Sequence, residues 1–362
     1  MNRRWICNDV WMDILPCFDR PQLGLKLALL SPRFNALVDK HFDGKNELTI
    51  WKPIIIDKGK GPEPTLSVEM DDDNFVPFPL PNCPLPSKIR FKHLQLEYID
   101  HFVITFLRAN HQIFDKRSTN LQLWIPSSNE QPIWDVLARE IWPIFSTNIH
   151  RLGLTVGDLD NLLRLISPTI LTDLNQLISI DSCDLLPDAI SDDFDGPNGT
   201  ISAGQALSKW LHSPRKDGQP KRLRYGKSLN AHADFDWVNS FKEQFLRANA
   251  ISSVSYEIRL YVHAPSMQMV PFELVNEWTK EKLTLAKAKE NYLVYWIMKR
   301  CKIIGENSAV HLKDENWDNN CNNVFFWLFN STNCIGPLSP PPKEEKDEAG
   351  QSITKVPYSA DK

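Results

Sequence analysis

The most strongly charged stretch of the sequence is HSPRKDGQPKRLRYGK, residues 212–227. Guanidinium groups hold phosphorylated or acidic peptides through paired hydrogen bonds, so this stretch could recognise such a peptide. The alternative is a solvated loop that leads into an edge strand, where lysines discourage aggregation. The acidic net charge of the chain favours this alternative. The candidate side chains are Arg215, Lys216, Lys221, Arg222 and Arg224.

Linear motifs of enzymes are missing from the sequence. Gly226, Lys227 and Ser228 resemble the end of a nucleotide-binding loop, but that loop needs glycine at position 221, which holds lysine. HExxH, GxSxG and GxGxxG do not occur. The sequence therefore predicts no catalytic residue and no cofactor. The alternative is an enzyme whose site has no linear motif, and a large pocket with convergent titratable groups would support it.

Metal-binding patterns are equally weak. The acidic segment SDDFDGPNGT, residues 191–200, has its glycine out of register for an EF-hand and reads better as a solvated turn. The nine histidines show no ligand spacing, and the seven cysteines form no CxxC pair. We therefore predict no metal site and reduced, structural thiols.

Bulk properties limit the partners and the compartment. The net charge of −4 argues against general attraction to nucleic acid or to an anionic membrane. No apolar run approaches the roughly 18 residues of a membrane span, and Asp9 and Asp13 interrupt what would be a signal peptide. We expect a protein of the cytoplasm, the nucleus or both, with no nucleic-acid or membrane partner.

Three short helices are predicted in residues 1–45, where apolar residues recur at helical spacing. The first helix has Asn8 or Asp9 as its N-cap, the second has Pro21 in its first turn, and Ser31 caps a third that starts at Pro32. These helices offer more apolar surface than they can bury among themselves. Exposed apolar surface of this kind usually marks an interface.

The order of residues in ICNDVWMDILPCFDRPQLGLKLALLSPRFNALVDKHF, residues 6–42, resembles an F-box. The resemblance rests on DVWMDIL in the first helix, the Pro-x-x-Leu start of the second, and SPRFNALV at the end. It departs from the family at Ile6 and Cys7, where the usual Leu-Pro is missing.

The resemblance implies docking on a Skp-family adaptor, which would link the chain to a cullin and a ubiquitin-conjugating enzyme. The alternative is a generic amphipathic bundle packed on the main domain. The positions that match the family's apolar residues, facing either the adaptor or the domain core, are Ile6, Val10, Ile14, Leu15, Leu23, Leu25, Leu27 and Phe34.

Residues 46–90 predict a small strand pair followed by a stiff proline-rich connector, VPFPLPNCPLP. From residue 91 to 262, strand-like segments alternate with stretches of helical spacing, which indicates either a leucine-rich-like solenoid or an open α/β sheet. FLRAN occurs at 106–110 and again at 245–249, which favours a repeat. The alternative is an ordinary α/β domain with similar helix ends. The predicted strands are 93–99, 120–126, 150–156, 177–181, 221–227 and 255–262.

The last hundred residues complete an α+β or α/β fold. We predict an antiparallel meander within an extension at 263–335, and a disordered tail at 336–362. The segment DNNCNNVFFWLFN, residues 318–330, fits a helix or a strand.

The whole layout resembles the large, diverged F-box families of nematodes, through WLHSPRKDGQPKRLR (210–224) and VPFELVNEWTKEKL (270–283). The function that follows is recognition of an unknown protein substrate for a Skp–cullin–F-box ubiquitin ligase, without catalysis by this chain. The alternative is an adaptor-bound scaffold that acts outside ubiquitination.

Overall fold

The computed structural model describes residues 6–42, 48–59, 61, 63–71, 74–86, 89–111, 119–124, 131–188, 201–226, 236–249, 254–261, 269–290, 293–303, 322–328, 336–338, 345–346 and 352–353. The fold is mixed α/β. The acidic segment 191–200, with which we tested calcium binding, lies outside the described residues, as do Lys227 and Ser228.

The N-terminal unit consists of three helical segments, as the sequence predicts. Helix α1 (Asn8–Ile14) continues into a 3-10 turn, helix α2 (Arg20–Gln22) continues through a π turn and a 3-10 turn to Leu30, and helix α3 (Pro32–His41) follows. The predicted N-cap of α1 is wrong: the cap is Cys7, without a side-chain bond. Helix α1 starts one residue earlier than a cap at Asn8 allows, because Arg33 holds the Asn8 carboxamide.

Strands β1 (Leu48–Asp57), β2 (Thr65–Asp71) and β3 (Asn74–Pro79) follow the N-terminal unit. β2 pairs antiparallel with both β1 and β3, and β1 also pairs parallel with β4 (Ile89–Leu96). The expected strand pair is therefore a three-stranded margin of a larger sheet. β3 includes the first residues of the predicted connector, because an edge strand accepts prolines that a central strand would reject.

Between β4 and β9, strands and helices alternate, and all six predicted strands of this region are confirmed. Helices α5, α7, α8 and α9 contact one another in succession, which puts them on one face of the sheet. The elements are α4 (His101–Ala109), β5 (Thr119–Trp124), α5 (Gln131–Val136), α6 (Trp142–Phe145), β6 (Ile149–Gly153), α7 (Val156–Leu165), α8 (Ile170–Asp173), β7 (Ser179–Ser182), α9 (Ala203–Leu211), β8 (Lys221–Gly226), α10 (Asp236–Arg247) and β9 (Tyr256–Tyr261).

The chain then forms the predicted antiparallel meander from β10 (Phe272–Asn276), β11 (Glu281–Glu290) and β12 (Leu293–Lys302). β12 pairs antiparallel with β9, so the meander extends the same sheet. β13 (Asn322–Leu328) resolves the helix-or-strand alternative as a strand. It runs parallel to β4 and β5 and lies between them.

In the described part of the chain, thirteen strands form one sheet in the order β10-β11-β12-β9-β8-β7-β6-β5-β13-β4-β1-β2-β3. Apart from the insertion of β13, each strand from β4 to β9 adds to the same side of the one before it. Two-residue strands β14 (Glu345–Lys346) and β15 (Ser352–Ile353) form a separate antiparallel pair. The remaining residues of the predicted tail after 338 lie outside the described part.

Candidate functional site

Four of the eight predicted adaptor-facing residues anchor the N-terminal unit instead of facing outward. Leu15, Leu23, Leu25 and Leu27 are buried, in the same hydrophobic core as Ile54 of β1. Helix α2 lies against β1. These leucines therefore attach the unit to the sheet and hold its helices together.

The other predicted positions lie at or near the surface. Ile6 and Val10 expose nearly half of their surface, at 46% and 45%, while Ile14 and Phe34 are half-buried. Leu30 was not among the predicted contacts, yet it is 65% exposed at the end of the second helical segment. Since most leucines of the unit are buried, this position escapes a reading of apolar spacing alone.

Arg33 joins the two ends of the N-terminal unit. Its guanidinium donates to the backbone oxygen of Ile6 at 2.6 Å and to Oδ1 of Asn8 at 2.8 and 3.0 Å. Trp11 and Phe34 pack edge to face with their ring centroids 4.9 Å apart. The exposed Ile6 and the first turn of α1 are therefore held in place by α3, as a preorganised docking surface requires.

The basic stretch 212–227 does not form one cluster. Lys221 points to the helix side of the sheet, where its ammonium donates to the backbone oxygen of Trp210 and to Oγ of Ser213. Burial, aided by the nearby charge of Arg215, lowers the pKa of Lys221 to about 8. Lys216 is exposed in the preceding turn. Neither lysine shares a surface with Arg222 and Arg224.

Arg215 is held by its own turn. Its guanidinium donates to both carboxylate oxygens of Asp217, with 2.9 Å between Nε and Oδ1. These bonds hold the pKa of Asp217 below its usual value. Of the five predicted basic residues, only Arg222 and Arg224 therefore lie together.

Arg222 and Arg224 belong to a charged surface on the side of the sheet that faces away from the helices. Tyr256 and Arg300 contact α10 through Phe241 and Phe245, so their strand neighbours point the other way. We call this surface the distal face. Its members are Arg151 of β6, Asp181 of β7, Arg222 and Arg224 of β8, Glu257, Arg259 and Tyr261 of β9, and Tyr295 and Lys299 of β12.

Ion pairs connect neighbouring strands on the distal face. Arg151 pairs with Asp181. Glu257 accepts from Arg259 at 2.6 Å and from Lys299 at 3.0 Å. Burial alone would raise the pKa of Glu257, but these two cations outweigh it and hold the pKa below the usual value. Both carboxylates are therefore ionised at neutral pH.

A cavity of about 350 Å³ opens where the carboxyl ends of β6 to β9 meet. Arg151, Asp181, Arg224 and Tyr261 line it from the distal face, and Cys183 lies at the end of β7. Burial and the nearby carboxylate of Asp184 raise the pKa of Cys183. The thiol therefore stays protonated at neutral pH, which is the opposite of what a nucleophile needs.

Sequence reasoning missed Arg151, Asp181, Glu257, Arg259 and Lys299. Each lies between apolar residues of a strand, and such alternation is visible in HRLGL or YEIRLY. What the sequence does not carry is the register that sets Arg224 opposite Asp181 and Arg259.

Within the described residues, no group of three or more His, Cys, Asp or Glu side chains could hold a metal ion. No helix of this part of the chain has both the length and the apolar character needed to cross a membrane. Comparisons of the chain with protein-family models, with curated proteins and with solved structures find no match.

Proposed function

We propose that the chain is the substrate-binding subunit of a Skp–cullin–F-box ubiquitin ligase. The N-terminal unit docks on a Skp-family adaptor, and the region 91–335 binds a protein substrate through an irregular, leucine-rich-like strand–helix array. The observation that carries the proposal is the division of the F-box-like unit into buried leucines that anchor it and exposed Ile6, Val10 and Leu30.

In this proposal the chain performs no chemistry of its own. It raises the effective concentration of substrate lysines near the ubiquitin-conjugating enzyme that the cullin carries. The complex works in the cytoplasm, the nucleus or both. The scaffold alternative keeps the adaptor but lacks the cullin.

The test is adaptor binding by variants of the exposed surface. Val10→Asp places a charge in the apolar contact and should weaken binding of a Skp-family adaptor by at least about tenfold, since burying an unpaired charge costs more than 1.4 kcal/mol. The measurement is titration of the purified full chain with the adaptor.

Val156→Asp is the matched control, because Val156 is also an exposed valine in the first turn of a helix. It should leave adaptor binding unchanged. Wild-type chain that does not bind the adaptor contradicts the proposal, as does equal binding by the two variants. Adaptor binding without co-purifying cullin from cells selects the scaffold alternative.

A further inference from the structure

The distal face has a cross-strand arrangement that like charges disfavour. In the parallel register, Arg224 lies opposite Asp181 on one side and opposite Arg259 on the other. Neighbouring strands are about 4.8 Å apart, and like charges directly opposite each other destabilise a sheet. Two adjacent guanidiniums are favoured when an anion lies over them.

The face as a whole carries more positive than negative charge. On the described strands β6 to β9 and β12 its cations are Arg151, Arg222, Arg224, Arg259 and Lys299, and its carboxylates are Asp181 and Glu257. Asp184, just beyond β7, accepts from the backbone N–H of Val156 at 3.1 Å. The excess stands out in a chain whose net charge is −4.

The cations are spread over the face instead of converging on one point. Arg222 and Arg224 are two residues apart on β8, so their side chains repeat at about 6.6 Å along the strand. An extended peptide repeats its own side chains with the same period. Carboxylates at every second position therefore match this spacing, whereas a single phosphate would need several guanidiniums around one site.

The cavity at the carboxyl ends of the strands adds an apolar contact. Tyr261 lines it and stacks on Tyr295 with 5.1 Å between ring centroids, while the guanidinium of Arg259 lies 5.8 Å from the Tyr295 ring. Fixed aromatic rings beside guanidiniums provide area as well as charge for recognition. The carboxylates of Asp181 and Glu257 would repel a continuous phosphodiester backbone, which disfavours nucleic acid.

We infer that the distal face binds an acidic segment of a protein, extended and with Asp or Glu at alternate positions, whose carboxylates contact Arg222 and Arg224. The inference rests on the proposed function, because it names the substrate class of the proposed receptor. The cavity takes a side chain at the end of the segment beside Tyr261.

The experiment measures fluorescence polarisation of a short labelled peptide in which Glu alternates with Thr, titrated with the full chain. The peptide should bind with an affinity that falls as salt is added, and the same peptide with Gln in place of Glu should not bind. Arg224→Gln should weaken binding by about tenfold, the usual worth of one charge-assisted hydrogen bond.

Arg247→Gln is the matched control, because Arg247 is exposed on α10 and pairs only with its helix neighbour Glu243 among the contacts described. It should bind the peptide like the wild type. Equal binding of the Glu and Gln peptides overturns the inference, as does equal binding by both arginine variants. Tighter binding of a singly phosphorylated peptide, or of single-stranded RNA, overturns it in favour of that ligand.

Adaptor titration of the same samples separates this inference from the proposed function. Arg224→Gln should bind the adaptor like the wild type, which also shows that it folds. A chain that binds the adaptor but not the Glu peptide contradicts the acidic-segment inference alone. A chain that binds the peptide but not the adaptor contradicts the proposed function alone.

Discussion

His212 shows how a single buried side chain responds to its neighbours. Its Nδ1 lies 2.9 Å from the backbone oxygen of Ser208, and its ring contacts the rings of Phe241 and Tyr256. Burial lowers the pKa of His212 to about 4; the bond to Ser208 opposes the shift, and the charges of Arg300 and Lys221 add to it. The folded protein therefore holds a neutral imidazole where the unfolded chain binds a proton.

This difference predicts acid sensitivity with a definite sign. The folded pKa of His212 is lower than that of the unfolded chain, so its contribution to stability is complete above pH 6.5 and is lost as the pH falls towards about 4. The full loss amounts to about 3 kcal/mol, because each pKa unit is worth about 1.4 kcal/mol.

His212→Asn keeps a donor near Ser208 and removes the titration. Urea unfolding at a series of pH values should therefore show a smaller loss of stability below pH 6.5 in the variant. Parallel pH profiles for wild type and variant would contradict the assignment.

At the scale of elements, the start of α3 shows a helix whose boundary the sequence sets. Ser31 Oγ accepts from the backbone N–H of Phe34 at 3.3 Å, and Pro32 occupies the first turn, where its missing N–H costs nothing. The docking surface depends on this helix, because α3 carries both Arg33 and Phe34.

Removal of the cap should loosen α3. Ser31→Ala should lower the free energy of unfolding by about 1 kcal/mol, the usual cost of a lost N-cap. Ser31→Asp keeps an acceptor at the same position and should stay within a few tenths of a kcal/mol of the wild type. Urea unfolding measures both, and equal losses in the two variants would rule out a capping role for Ser31.

Local patterns were enough to predict many elements, and long-range pairing was not predictable. Pro21 and Ser31 mark their helix starts, and alternating residues mark every strand from β4 to β9. The place of β13 depends on partners about 200 residues away in sequence, which no local pattern records. For the same reason Arg222 and Arg224 were found together, while Arg151, Arg259 and Lys299 were missed.

At the scale of the whole molecule, the sheet depends on its last strand. β13 separates β4 from β5, so both of these strands make their parallel contacts with it. Gly336 donates to the backbone oxygen of Ile99, and Pro337 accepts from the N–H of His101, close to the start of α4. The sheet is therefore continuous only when residues near the C-terminus are in place.

Two truncations test this dependence. A chain that ends at Cys321 lacks β13 and should lose a large part of the about 5–15 kcal/mol that stabilises a folded domain. A chain that ends at Leu338 keeps β13 and should unfold like the full chain. Soluble yield and urea unfolding are the measurements, and equal stability of the two truncations would contradict a central role for β13.

The place of β13 also sets a timetable for synthesis. At about 5–20 residues per second, the ribosome needs about 10–40 seconds to go from β5 to β13. During that interval two central strands emerge without the neighbour that finally lies between them, and unpaired strand edges invite aggregation. A premature stop codon anywhere before residue 322 would therefore release a chain that cannot close its sheet, even though the N-terminal docking unit and every residue of the distal face had been translated.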